Sequence, residues 1–518
     1  MTFRISHPEV DVQGQQPPAQ PPGGVHLPSL RSTAAGVFSL IAIAATGLAA
    51  GPVAAVPSTG PCVLPRTEAH HSLGLDTWNT AYPRPDRALD AVMVFLSFPD
   101  ATPVHGTEVI AADHFPGTSE FFARASYGRF ALRAEPRHGW LRMPRPSTAY
   151  AVRRDWAPDR RAAYLRDALA VADPVVDFSR YDVVYLVADP DAPGVDSDAT
   201  KVVNLRTPLR ADGTDIDRVV TVFERHPPDR NVLAHETGHV FDLPDLYNRP
   251  VDGKGDWDTH VGDWDVMGSQ FAMAPEPFGW HKWKLGWLDE PQVRCVRTPQ
   301  WVTLRPLSGG TDPDGADGGG SVPGGADPAV PVPGAADPGV PGQAVPVPAV
   351  PVPGGADPGA GFGAQGAGAG GGADPGGTGA PGTGAAGPGV DTGTGAGTAA
   401  DGALPRGAGP GARLAVVRTG RDTVLAVEAR GAVGNDRGTC AEGVLVYRVR
   451  AGAESGAGPV EVVDAHPLTA ACRDRSVYPP LADAPLREGE SFTVPGEGVR
   501  VQVGARTPAG DWTVRITP

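Results

Sequence analysis

Hydrophobic positions along the chain fall into distinct regimes. From residue 89, short unbroken apolar runs alternate with stretches of helical spacing. Residues 91–98 (AVMVFLSF), closed by Pro99-Asp100, read as a buried strand, and residues 181–188 (YDVVYLVA) and 219–223 read the same way. Residues 130–135 alternate as a half-exposed strand does. Residues 118–126 place Phe121, Phe122 and Ala125 on one side of a helix that Tyr127-Gly128 stops. Residues 159–172 predict a second helix, with Ala163, Leu165, Leu169 and Val171 toward the core. A third is predicted from about residue 230, N-capped by Asp229. Interleaved strands and helices predict an α/β (α+β) domain over 89–298.

Past residue 299 the helical spacing disappears. Strand-like runs occur at 301–304, 413–417, 423–429, 443–449, 460–463, 492–494, 499–503 and 512–516. They predict an all-β, sandwich-like domain over 299–518. The span 308–411 interrupts it. Residues 311–410 hold 32 Gly, 17 Pro and nine Asp, with one Arg and a single aromatic, Phe362. Such a segment cannot bury a core, and Gly shows no three-residue period, which excludes collagen. A strand precedes the tract, so it reads as a long disordered Gly/Pro/Asp-rich insertion in one loop, which closure entropy tolerates.

Upstream, residues 34–50 are apolar and uncharged, follow Arg31, and are broken by Gly51-Pro52 before the small residues Val53-Ala54-Ala55. This pattern predicts a signal peptide over 1–55 and a secreted protein with no membrane contact in its mature form. The competing reading is an uncleaved anchor. Residues 56–88 show little periodicity and read as a short pro-segment or linker. Net charge is −15, of which the tract supplies −8. An acidic chain repels phosphate backbones, so nucleic acid is excluded as a partner. The four cysteines fit an exported chain. Cys440 and Cys472 share one segment and are paired, leaving Cys62 for Cys295; a Cys62 thiolate on a metal is the alternative.

The chemical signal is His235-Glu236-Thr237-Gly238-His239. On a helix the two histidines lie one turn apart on one face and can reach one Zn²⁺, with Glu236 beside a water at the metal. Three protein ligands and one open position are the usual catalytic plan. Pro244 forces a turn, and Asp245, just beyond it, can swing back as third ligand. Asp242 competes, and Glu276 is a more distant alternative. Asp252, Asp256, Asp258, Asp263 and Asp265 alternate with turn residues. They offer oxygen ligands of the kind Ca²⁺ takes, but solvated loop acids are the blander reading.

These residues resemble a family. His-Glu-x-x-His with a ligand ten residues after the first His is similar to the metzincin metallopeptidases. Leu243-Pro244-Asp245-Leu246-Tyr247 resembles the immune inhibitor A type of secreted bacterial metalloproteases within them. Trp264-Asp265-Val266-Met267-Gly268-Ser269 is similar to the family's methionine turn. Residues 277–288 (PFGWHKWKLGWL), 125–128 (ASYG) and 443–449 (GVLVYRV) also match its pattern. The resemblance covers roughly 90–300 and, more loosely, the β-region. It implies a zinc endopeptidase acting on protein or peptide substrates, and a monomer is expected. It implies His235, His239 and Asp245 as zinc ligands, Glu236 as general base, and Met267 packed beneath the site. One departure stands out. Asp242 occupies the place where the family has a left-handed Gly, and Asp is among the residues that tolerate that geometry. Other readings are a non-catalytic exported binding or adhesion protein on a metalloprotease scaffold, and a hydrolase of non-peptide amides.

Overall fold

The computed structural model describes residues 60–229, 231–250, 256–308 and 411–518. The expected signal peptide and the tract at 309–410 lie outside the described residues. The described residues form a mixed α/β structure with three sheets and few helices. Among the described residues no helix is long and apolar enough to cross a membrane.

In chain order the first half contains β1 (Ala88–Ser97), α1 (Thr107–His114), α2 (Gly117–Ala125), β2 (Ala131–Arg142), α3 (Ser147–Tyr150), α4 (Pro158–Ala172), β3 (Val183–Ala188), β4 (Lys201–Ala211), β5 (Thr214–Val222), α5 (Val232–Val240) and α6 (Gly279–Leu285). The first sheet has the order β2-β1-β3-β5-β4, parallel except for the antiparallel edge strand β4. Its central strands are continuous apolar runs because both faces are covered. Ala91, Met93 and Phe95 of β1 face a core shared with α1, α2, α5 and α6. Val92, Val94 and Leu96 face the opposite core, against α3 and α4. Strand β2 runs seven residues past its predicted end, and Pro136 fits there because β2 is an edge. Strand β4 was not expected from the pattern. Its sequence (KVVNLRTPLRA) mixes polar and apolar residues without steady alternation, and its register on β5 shifts between Asn204 and Leu209.

The second half contains β6 (Val293–Cys295), β7 (Gln300–Leu304), β8 (Leu414–Arg418), β9 (Thr423–Arg430), β10 (Gly443–Arg450), β11 (Val460–Val462), β12 (Ser491–Thr493), β13 (Arg500–Arg506) and β14 (Trp512–Thr517). One sheet runs β11-β10-β9-β8-β6 and the other β12-β13-β14-β7. Val427 and Val446 of the former share a core with Val302, Val501, Val514 and Ile516 of the latter. The opposite face, with Ala426, Leu445 and Tyr447, joins the core beneath α5 and α6. The C-terminal strands therefore complete the core of the first sheet's helical layer. On either side of the tract, Arg305 N–H donates to Ala412 O and Leu307 N–H to Ala429 O, both at 2.8 Å.

Residues 60–88 are irregular but held in place. Cys62 is disulfide-bonded to Cys295, and Cys440 to Cys472. Leu64, Leu73 and Leu75 are buried in the shared core. Side chains of the α6 region bind the segment's backbone: Trp280 Nε1 donates to Leu73 O (2.9 Å), Lys284 Nζ to Ser72 O (2.9 Å) and Trp287 Nε1 to Pro85 O (2.7 Å). Such bonds satisfy carbonyls that no strand ladder reaches. Gly74 permits the close approach, since a Cβ there would lie 2.2 Å from Arg66 Cα.

Candidate metal centre

Helix α5 starts two residues later than expected. Asn231, in left-handed conformation (φ 58), precedes its first turn, and Asp229 instead accepts from Gln270 Nε2. The helix is buried almost throughout, and Thr237 ties it to the first sheet through Tyr185 Oη at 2.8 Å. It ends in a Schellman turn. Leu243 N–H donates to Gly238 O and Asp242 N–H to His239 O, both at 3.2 Å. Asp242 takes the left-handed position of that turn, φ 62, as its place in the sequence predicts. The turn then delivers Leu243 O to His239 Nδ1 at 2.8 Å.

His235, His239 and Asp245 converge, with one ligand atom from each lying within 4.8 Å of the others. Asp245 Oδ1 is 3.0 Å from His239 Nε2 and 3.5 Å from His235 Nε2. His235 Nδ1 lies 2.8 Å from Val266 O. Carbonyls only accept, so both Nδ1 atoms carry the protons and both Nε2 lone pairs face Asp245. Asp245 Oδ1 is buried and has no hydrogen-bond partner. Once a cation displaces the proton that His239 shares with Asp245, these three atoms form a donor set for it. Two ligands about 2.1 Å from one tetrahedral ion stand about 3.4 Å apart, which the observed 3.0 and 3.5 Å bracket. Burial opposes a charge on His239, yet Asp245 outweighs it and raises the imidazole of the metal-free site to about 9. Burial likewise works against the Asp245 charge, and His239 still holds that carboxyl well below its usual range. The residues fit a divalent metal with nitrogen and oxygen ligands.

Glu236 is buried and lies close enough to His235, His239 and Asp245 to feel their charges. Its Oε2 accepts from Val202 N–H of edge strand β4 at 2.9 Å, and burial raises its pKa. Beneath the helix, Met267 is fully buried and Gly238 makes room for it. A Cβ on residue 238 would lie 2.3 Å from Met267 Sδ. Met267 O accepts from Leu246 N–H at 2.9 Å, so this one turn steadies His235 through Val266 and the Asp245 loop through Leu246. Tyr247 lies nearly parallel to the His235 ring, centroids 6.4 Å apart, and its hydroxyl accepts from Arg249 Nη2 at 2.7 Å.

The alternatives to Asp245 are engaged elsewhere. Asp242 accepts from His71 Nδ1 and Arg66 Nη1, each at 2.9 Å, and pairs with Lys284 Nζ at 3.1 Å. Burial works against its charge, but the hydrogen bond from His71 and the charges of Lys284 and Arg66 hold its carboxyl far below the usual range. His71 in turn lies against His239, ring centroids 5.7 Å apart. Glu276 is buried in an ion pair with Lys282. Of the loop acids considered for Ca²⁺, Asp263 and Asp265 are not solvated. Asp265 is fully buried and accepts from Met267 N–H (2.8 Å), Phe278 N–H (2.7 Å) and His281 Nδ1 (3.0 Å). Asp263 accepts from Met273 N–H at 3.0 Å and from Ser476 Oγ. Asp252 lies outside the described residues, and among those described no second group of metal-ligand side chains is gathered. Pattern reading missed Ser455, which bonds Asp245 from the C-terminal region, and the partners of Asp242; neither sits in a recognisable motif.

No known protein-family model matches this chain, and no curated protein matches it significantly.

Proposed function

We propose that the chain is an exported zinc-dependent endopeptidase of metzincin type, resembling immune inhibitor A-like metalloproteases. In this reading 89–298 forms the catalytic domain and the two C-terminal sheets form a β-sandwich. The observation that carries it is the convergence of two imidazole Nε2 atoms and an unpartnered carboxylate oxygen beside a buried glutamate. When bound, Zn²⁺ supplies Lewis acidity toward a carbonyl and lowers the pKa of water to about 7.

The chain's own groups do the rest. His235 and His239 hold the ion with neutral imidazoles whose tautomers are set by Val266 O and Leu243 O. Glu236 is anchored through Oε2, which leaves Oε1 to take a proton from the attacking water and return it to the departing amine. A peptide is favoured over a compact amide because β4 is an edge strand at the site, paired only with β5. An extended chain can add along its free side. Two disulfides support an oxidising, extracellular setting.

The test is Glu236→Gln in the full chain, read as metal content by mass spectrometry and as hydrolysis of denatured casein. The variant should keep zinc and lose at least about 10²-fold in rate. Undiminished hydrolysis would refute the role of Glu236. Wild-type protein without metal and without casein cleavage would refute the peptidase reading altogether.

A further inference from the structure

We propose that Ser455, in the loop between β10 and β11, is a positioning residue of the metal centre that fixes which oxygen of Asp245 faces the two imidazoles. The proposal rests on the metal-binding reading above. Ser455 Oγ accepts from Asp245 N–H at 2.8 Å. An amide N–H only donates, so the single hydroxyl proton of Ser455 is free for Asp245 Oδ2, 3.0 Å away. Arg249 Nη2 reaches the same oxygen at a longer 3.4 Å. Oδ2 thus has two donors, while the buried Oδ1 has none and faces both Nε2 atoms. A carboxylate with one oxygen committed to the protein presents the other alone. That gives single-oxygen ligation and keeps a position open for water and substrate.

The loop is built to hold this geometry. Gly456 N–H donates to Asp245 O and Arg249 N–H to Gly456 O, both at 3.0 Å, so two further rungs flank the serine. Gly456 has φ 76, a left-handed conformation that favours glycine. At its other side the loop is tied to the N-terminal segment. Ala451 O accepts from Thr67 Oγ1 (2.7 Å) and Ser72 Oγ (2.9 Å), and His70 N–H donates to Glu454 (3.1 Å). The carboxyl-terminal strands thus place the third ligand as well as fill the core.

The experiment compares full-length wild type, Ser455→Ala and Ser455→Thr. Zn²⁺ affinity is measured by competition with a chelating dye, the visible spectrum is recorded with Co²⁺, and the urea midpoint is measured without metal. Ser455→Ala should bind Zn²⁺ about 10- to 100-fold more weakly with an altered Co²⁺ spectrum. Its metal-free midpoint should fall only slightly, from the hydrogen bonds lost, and Ser455→Thr, which keeps the hydroxyl, should stay close to wild type in affinity, spectrum and midpoint. Equal affinity in wild type and Ser455→Ala would overturn the proposal alone. So would equal losses in both variants with a lowered midpoint, which would mark a purely structural role. A wild type that binds no divalent ion would overturn the metal reading and this proposal together.

Discussion

Asp242→Gly separates two explanations for an aspartate in a left-handed turn. If Asp242 is present only because it tolerates φ 62, glycine should do better. Left-handed geometry costs an ordinary L-residue about 1–2 kcal/mol, less for Asp, and glycine's greater freedom in the unfolded chain takes back about 0.5–1 kcal/mol. The net gain from glycine is therefore at most about 1 kcal/mol. Against it stands the ion cluster. Lys284 is nearly inaccessible, its side chain 2% exposed, whereas Arg66 at 20% is partly screened by solvent. Burial pushes His71 down to about 4, so it adds a hydrogen bond and no charge. Removing one partner of a buried pair costs about 3–5 kcal/mol, because the remaining charge is stranded. Charge should win, and Asp242→Gly should lose about 2–4 kcal/mol in urea-induced unfolding of the metal-free protein. Adding Lys284→Met should recover part of the loss, with a coupling of about 2 kcal/mol in the double-mutant cycle. A glycine variant as stable as wild type, or more stable, would refute the argument.

Two further perturbations test neighbouring contacts. Gly238→Ala places a Cβ against Met267 Sδ; it should lower stability by about 1–3 kcal/mol and weaken zinc binding, and unchanged urea midpoint and affinity would contradict the packing. His114, in the core side of α1, is held near pKa 4 mainly by burial, with Asp113 opposing. The unfolded chain therefore binds a proton that the native state refuses, so stability should fall as pH drops from about 6.5 toward 4, by up to about 3 kcal/mol. In His114→Phe that share of the pH dependence should vanish in urea titrations at stepped pH, and an unchanged slope would refute the assignment.

What was legible in the sequence was local. Strands buried on both faces announce themselves as apolar runs, and β1 and β3 were placed within a few residues. Asp245 was singled out because Pro244 ends the helix within a few residues of His239, a constraint carried by neighbouring residues. Strand β4 was invisible because its apolar residues do not alternate regularly, and Pro208 sits where its register on β5 shifts. Residues 60–88 looked featureless because their order comes from side chains of α6 bonding their backbone, which leaves no periodicity. Asp265 resembled a loop acid although it is buried among three donors. The partners of Asp242 were hidden for another reason: Arg66 and His71 lie 176 and 171 residues away in the chain.

The same separations bear on when the protein acquires its chemistry. Ser455 meets Asp245 across 210 residues of sequence. Contacts that close long loops form after local ones, and a chain made from its amino terminus has no β10–β11 loop until some 210 residues beyond Asp245 have been added. A nascent chain can therefore display the helix with both histidines while its third ligand is still unoriented. The topology imposes a delay between making the metal-binding motif and completing the metal centre, and the delay is written into the order of the strands.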